Sequence, residues 1–389
     1  MKKVLFSAIL AIFAVLITLG LAEIILRVFF PPAVSDEVKL DTHGIYKLSD
    51  DPILVYEHRP NSTSEDVQRK IKLRKSETEV PSQPIINYSI NNLGFRGENI
   101  NPDDTLPLLV TLGDSNTFGL GLNDRDTFPY RLQKLLRNSK SQMQVVNAGV
   151  AGYSTATERR FYQTHVKKLK PKILLHIWCM NDVIENPTAT YHTDIRMVMV
   201  HHFPLFGENT RIWMYNHSHI FMRIVEAYNL IMLDIDPDKF AFVGARDYRW
   251  IFQKALADPK NPAWLRTAGH MEKLFEEARA DGVKTALVII PFQNQVYEDS
   301  VFRYYDPTPA RKQLADFAAR LDVPIIDVTD DFLANKDKDL FMDICHLDPE
   351  GAQVTAEQIQ KWLWEKGWVE KPASEPVEKS TETQLPASP

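Results

Sequence analysis

Hydrophobic and polar positions divide the chain into stretches of different rhythm. From Val4 to Ala22 no charged residue occurs, and a run of that length spans a bilayer as a helix. Residues 33 to about 87 are polar and irregular, with Lys70, Lys72, Arg74 and Lys75 in one charged stretch. From about residue 106 short apolar runs alternate with segments of helical period. The runs predict strands at Leu108 to Leu112, Gln144 to Asn147, Ile173 to Trp178, Thr285 to Ile290 and Val323 to Val328. The segments between and after them predict helices at Phe128 to Arg137, Ala156 to Leu169, Pro262 to Ala280, Thr308 to Leu321 and Pro349 to Glu365. Such alternation argues for βαβ units and a parallel sheet. The expected class is α/β, a three-layer α/β/α sandwich around about five parallel strands with right-handed crossovers.

Around this unit the chain divides into an N-terminal transmembrane anchor or signal (1–30), a lead-in that is a small β-rich element or a solvated linker (31–105), the α/β domain (106–369) and a tail (370–389). Lys2 and Lys3 precede the apolar run, and that charge is expected to stay cytoplasmic and send the rest across the membrane. Gly20 and Ala22 before Glu23 fit cleavage of a secretory signal. The apolar pattern nevertheless continues through Ile24, Ile25, Leu26, Val28, Phe29 and Phe30 to Pro31-Pro32, which favours a membrane helix over a secreted, cleaved form. In both cases the main domain is expected on the extracytoplasmic side, periplasmic or extracellular. The tail is rich in Pro, Glu, Ser and Thr, and disorder is expected there.

An insertion at about 183–261 interrupts the rhythm. It holds His192, His201, His202, His217 and His219 among aromatics, but no pair has the i, i+4 spacing of helical metal ligands. A helical element with Phe221, Ile224, Val225 and Tyr228 on one face is expected instead, placed to form a pocket wall, a sugar platform or a lid. Gln293 and Gln295 follow a strand, and capping of the loop is preferred there over a place at the rim of a site.

Candidate chemistry sits at the ends of the strands. Gly113-Asp114-Ser115 follows the first, Asn147 through Thr155, with Gly149 and Gly152, follows the second, and Cys179-Met180-Asn181-Asp182 follows the third. Asp343-Ile344-Cys345-His346 lies near the C-terminus. A serine hydroxyl becomes a nucleophile when an imidazole takes its proton and a carboxylate fixes the imidazole's tautomer. Ligands and catalysts of open α/β sheets gather at these strand ends.

Over residues 88 to 366 these four ordered blocks resemble the SGNH hydrolases, the GDSL esterase/lipase family, of the membrane-anchored bacterial type. The resemblance implies a flavodoxin-like SGNH hydrolase fold with Ser115 as nucleophile, His346 as base and Asp343 as acid. It also implies an oxyanion hole from the N–H of Ser115, the N–H of Gly152 and the side chain of Asn181, with Gly149 as a turn glycine. Cys179 stands where the family has glycine, and is expected to reflect local packing. Asn91 through Gly97 resembles a segment upstream of the serine block in membrane-anchored relatives, and Arg96 is expected to be structural.

These residues predict an extracytoplasmic serine esterase acting on an acyl ester, acetyl or short-chain, through an acyl-enzyme. Acylated polysaccharide and lipid are the candidate substrates. The alternatives are an envelope polysaccharide O-acyltransferase using the same triad, and a non-catalytic carbohydrate-binding or assembly factor. The chain supplies its own nucleophile, base and oxyanion donors, so no cofactor and no metal are implied.

At 389 residues and 44% hydrophobic the chain can bury a full core, and a net charge of −6 gives no reason to expect nucleic acid. Only two cysteines occur, Cys179 and Cys345, both within the site blocks. In an oxidising compartment a Cys179–Cys345 disulfide stapling the two loops is one expectation; two buried thiols are the other.

Overall fold

The computed structural model describes residues 2–29, 44–67 except 52 and 55, 84–100, 106–137, 143–185, 200, 203–235, 257–300 and 306–371. Lys70, Lys72, Arg74, Lys75, His192, His201, His202 and nearly all of the C-terminal tail lie outside these residues.

Five parallel strands form the central sheet: β5 (Leu108–Gly113), β6 (Gln144–Gly149), β7 (Ile173–Trp178), β8 (Lys284–Ile289) and β9 (Ile325–Asp327). Their order is β6-β5-β7-β8-β9, so the connections leave β5 in opposite directions on its two sides, and a ligand crevice opens at such a point. Strand β7 is buried at all six positions, as expected of a strand covered by helices on both faces. Leu109, Leu175, Ile177 and Leu287 line one face of the sheet, with Phe128, Leu132, Phe275, Phe317 and Ile359 packed there. Val110, Leu112, Val146 and Leu174 line the other, under Phe161 and Tyr162.

The helices Phe128–Arg137, Pro262–Ala280 and Pro349–Glu365 coincide with their predicted bounds. Two elements differ by three residues or more. The fifth strand is three residues rather than six, because Pro324 has no N–H to give the ladder and pairing starts at Ile325. The helix predicted at Ala156 to Leu169 ends at Thr164, and a 3₁₀ turn, Val166–Leu169, follows it.

Upstream lie two antiparallel pairs: β1 (Tyr46–Leu48) with β2 (Tyr56–His58), and β3 (Ser62–Val67) with β4 (Ile85–Ile90). Isolated bridges Ile90–Arg96 and Arg96–Asn147 join the second pair to the edge of the main sheet. The Arg96 side chain then enters the core. Its Nη1 donates to the carbonyls of Phe118 and Gly119, both at 2.6 Å, and its Nε to Asp124 at 3.0 Å. The guanidinium sits 4.7 Å and 4.5 Å from the ring centroids of Tyr88 and Phe118.

The N-terminal run forms one helix, α1 (Lys2–Phe29). Phe6, Leu10, Phe13, Leu19 and Leu21 on it are exposed, while the side chains at 8, 9, 12 and 16 lie outside the description. Among the described residues no helix is long and apolar enough to cross a membrane. The run is thus one 28-residue helix, and the expectation that it spans a membrane is not supported by the described residues. Glu23 of α1 accepts from the N–H of His219 at 2.8 Å and of Ile220 at 3.0 Å, which caps the helix His219–Ile235 in the insertion. That helix packs Phe221, Met222 and Val225 with Val200, Phe203 and Tyr215. Ile224, expected on the same face, is instead half exposed.

Arg96→Met should destabilise the protein by about 3–5 kcal/mol, the usual result of breaking a buried ionic cluster and orphaning its partners. Urea unfolding of the variant beside the wild type measures this.

Candidate active site

Strand β5 delivers the chain to a sharp turn. Asp114 caps the short helix α2 (Ser115–Phe118), its Oδ1 accepting from Asn116 N–H at 2.9 Å. Ser115 therefore stands at the first helical position, beyond the C-terminal end of β5, with its N–H among those that a helix start leaves without an intrahelical acceptor. Gly149 lets α2 sit against the sheet: a Cβ there would stand 2.1 Å from the Phe118 nitrogen. Its N–H is taken by Asn147 Oδ1 at 3.0 Å. Gly152, in contrast, adopts φ 84° in the loop after β6, a conformation glycine enters without strain.

The Asp343–His346 loop arrives from the far end of the chain. It is closed by a Phe341–Leu347 bridge and a Met342 N–H to His346 carbonyl bond of 2.9 Å. The N–H of Gln293 also donates to the Ile344 carbonyl at 2.9 Å. Asp343 Oδ1 accepts from the N–H groups of Cys345 (2.9 Å) and His346 (2.8 Å), and Oδ2 lies 2.6 Å from His346 Nδ1. His346 Nε2 is 2.9 Å from Ser115 Oγ. Three residues spread over 231 positions thus form one continuous chain of contacts.

Electrostatics follow from that chain. Burial works against the imidazolium, but the Asp343 carboxylate beside Nδ1 outweighs it and holds His346 well above its ordinary value. Burial likewise pushes Asp343 up, yet the His346 ring and the two loop N–H groups bring it below the usual carboxylate range. Asn181 Nδ2 donates to Asp114 Oδ2 at 2.9 Å, so the Asp114 carboxylate joins the start of α2 to the loop after β7.

The expected disulfide does not form: Cys179 and Cys345 are both thiols. Cys179 Sγ accepts from Asn116 Nδ2 at 3.1 Å, while Cys345 Sγ turns to His346 Nδ1 at 3.7 Å. Burial, with Asp114 and Asp182 nearby, pushes the Cys179 thiol up, which removes the thiolate that disulfide exchange requires. Gln295 caps its own turn through Phe292 N–H at 2.9 Å, and Gln293 Nε2 donates to Ser300 Oγ at 2.7 Å. Both glutamines are buried, in keeping with capping. Among the described residues one group of metal-type donors is close enough to hold an ion: Asp343, Cys345 and His346.

A buried layer behind Ser115 went unread in the sequence. His176 and Glu158 are fully enclosed and 2.7 Å apart, and Asp182 is enclosed nearby. Burial drives His176 down to about 3. Burial, then neighbouring Asp114, drives Glu158 well up, so the pair is held neutral. Asp182 is raised by burial, Glu158 and Asp114. The signal was a histidine in the middle of Ile173-Leu174-Leu175-His176-Ile177-Trp178, because an imidazole buried in a sheet requires a polar partner.

The family model for GDSL-like lipase/acylhydrolase matches residues 111–354. No curated protein matches the chain. Among solved structures the chain is similar to the acetyl xylan esterase AlAXEase, at 14% identity over 66% of this chain and 99% of that one, TM-score 0.40. TesA aligns at 14% identity over 66% and 98%, TM-score 0.40. The psychrotrophic esterase EstA from Pseudoalteromonas sp. aligns at 13% over 66% and 98%, TM-score 0.38.

His346 titrates near 6.5 when unfolded and higher when folded. It therefore contributes stability below about pH 6.5 that is lost as pH rises through its folded value. Asp343, lowered on folding, contributes above about pH 3.9 and loses that contribution as pH falls. Together they stabilise most between about pH 4 and 6.5. NMR titration should place the His346 ring above 6.5 in the wild type, and Asp343→Asn should lower it, since the carboxylate that outweighs burial is then gone and Cys345 alone still raises the ring.

Proposed function

The chain belongs to the GDSL-like lipase/acylhydrolase family, it is a carboxylic ester hydrolase, and we propose that it is an extracytoplasmic serine esterase that cleaves a short acyl ester through an acyl-enzyme. The observation that carries this reading is the unbroken series Asp343 Oδ2, His346 Nδ1 and Nε2, Ser115 Oγ at 2.6 and 2.9 Å.

In this mechanism His346 Nε2 takes the Ser115 hydroxyl proton as Oγ bonds to the ester carbonyl carbon. The carbonyl electron pair moves to oxygen, where the N–H of Ser115, the N–H of Gly152 and Asn181 Nδ2 stabilise it. The intermediate collapses, the C–O bond breaks and the alcohol leaves with the proton from Nε2. Water then repeats the sequence on the acyl-enzyme and returns the proton to Ser115. Ser115 is only 8% exposed, and that burial supports a small acyl group in this reading.

Location outside the cytoplasm, with α1 as tether, is supported by the uncharged stretch Val4 to Ala22 behind Lys2 and Lys3. Intact mass of the native protein tests the tether: retention of the first 22 residues is expected, and their loss would leave a secreted enzyme.

Turnover of p-nitrophenyl acetate should exceed that of p-nitrophenyl octanoate, and Ser115→Ala should abolish both. Asn181→Ala should lower turnover about 100- to 1000-fold, the usual effect of removing one oxyanion donor, with little change in melting temperature. The base must be neutral to accept a proton, so kcat/KM should rise with pH through a midpoint above 6.5. A folded wild type that turns over neither ester would reject the esterase reading.

A further inference from the structure

Cys345 lies inside the triad loop and takes no part in the proposed reaction. Its Sγ is 3.7 Å from His346 Nδ1, the same nitrogen that Asp343 Oδ2 approaches at 2.6 Å. One donor atom from each of these three residues lies within 4.8 Å of the other two. All three come from four consecutive positions of a loop already closed by the Phe341–Leu347 bridge, so little ordering is needed to gather them. Carboxylate, thiolate and imidazole are the donor types that bind Zn²⁺ as three protein ligands with one position open. Bond lengths of about 2.0–2.3 Å around a tetrahedral ion set donors about 3.3–3.6 Å apart; Cys345 Sγ and His346 Nδ1 already stand at 3.7 Å, while Asp343 Oδ2 draws back from its 2.6 Å hydrogen bond to Nδ1 as the ion enters.

We propose that Asp343, Cys345 and His346 form an inhibitory Zn²⁺ site that closes over the triad, an inference that rests on the esterase reading for its effect but not for its binding. In the resting enzyme the neutral imidazole carries its proton on Nδ1 and presents the Nε2 lone pair to Ser115. Zn²⁺ takes a lone pair at Nδ1, and the ring proton passes through solvent to Nε2. The Cys345 thiol gives its proton to solvent and binds as thiolate, and Asp343 contributes a carboxylate oxygen. One proton is released for each ion bound, and no electron transfer is involved. With hydrogen on Nε2 the ring points a donor at Ser115 Oγ and cannot accept its proton. The first step is then blocked while the fold is unchanged. Cys345 is half-buried and within reach of an ion, whereas Cys179 is enclosed. Mg²⁺ and Ca²⁺, which favour all-oxygen sites, leave the enzyme active.

The test is a ZnCl₂ titration of p-nitrophenyl acetate turnover by the full chain and by Cys345→Ala, with MgCl₂ as control and a chelator added at the end. The expected result is reversible inhibition of the wild type at micromolar Zn²⁺. The variant should remain active without metal and, measured against its own metal-free rate, need at least about tenfold more Zn²⁺, which corresponds to about 1.4 kcal/mol of binding. Equal inhibition midpoints for the two proteins would overturn the site. Equilibrium dialysis with ZnCl₂ reads binding without activity: one ion per wild-type chain and none per variant supports the site, and equal binding by both rejects it. A chain that binds Zn²⁺ through Cys345 yet turns over no ester keeps the site and loses the esterase reading. An active enzyme indifferent to Zn²⁺ does the reverse.

Discussion

Asp114 is the carboxylate on which the site's geometry turns. It is 1% exposed, and its two oxygens serve different elements: Oδ1 starts α2 and Oδ2 holds Asn181. A carboxylate buried this deeply is tolerable only when donors surround it, and here those donors are parts of the site itself. Satisfying one charge thus fixes the distance between the nucleophile's helix and the loop after β7. Gly149 allows the same arrangement sterically, because α2 rests where any side chain at that position would be.

The layer behind Asp114 follows from the same constraint. Glu158, His176 and Asp182 are enclosed, and a second or third full charge in that volume would cost several kcal/mol. Burial resolves this by driving Glu158 up and His176 down, leaving a neutral hydrogen-bonded pair. The charge separation that chemistry uses is confined to the other side of Ser115, where burial acts on both members of the Asp343–His346 pair but their mutual attraction prevails.

Much of this was legible because parallel strands are continuous apolar runs and their helices carry strong period. Ile173–Trp178 and Pro349–Glu365 could be bounded to the residue. Ser115 was readable because it follows the first strand of the alternation, and Asp343 and His346 because their block completes the ordered set that resembles the SGNH hydrolases. The cysteines were not, since whether two loop thiols pair depends on the direction each side chain takes, and Asn116 and His346 draw them to different partners. The roles of Gly149 and Gly152 were equally closed to spacing alone. They separate once the hydrogen bond from Gly149 to Asn147 and the left-handed φ of Gly152 are known. Glu158 was hidden because its partner lies on another element, though His176 within an apolar strand marked where to look.

Arg96 carries a consequence for what counts as one folding unit. The family match begins at residue 111, yet the guanidinium that ties off the carbonyls of Phe118 and Gly119 comes from fifteen positions earlier. An enzyme cut back to the matched region would leave those carbonyls, and Asp124, facing an empty slot directly behind the nucleophile's helix. In this chain the folding unit therefore reaches back before residue 111, and a core moved out of it into another protein would have to carry the arginine along with the serine.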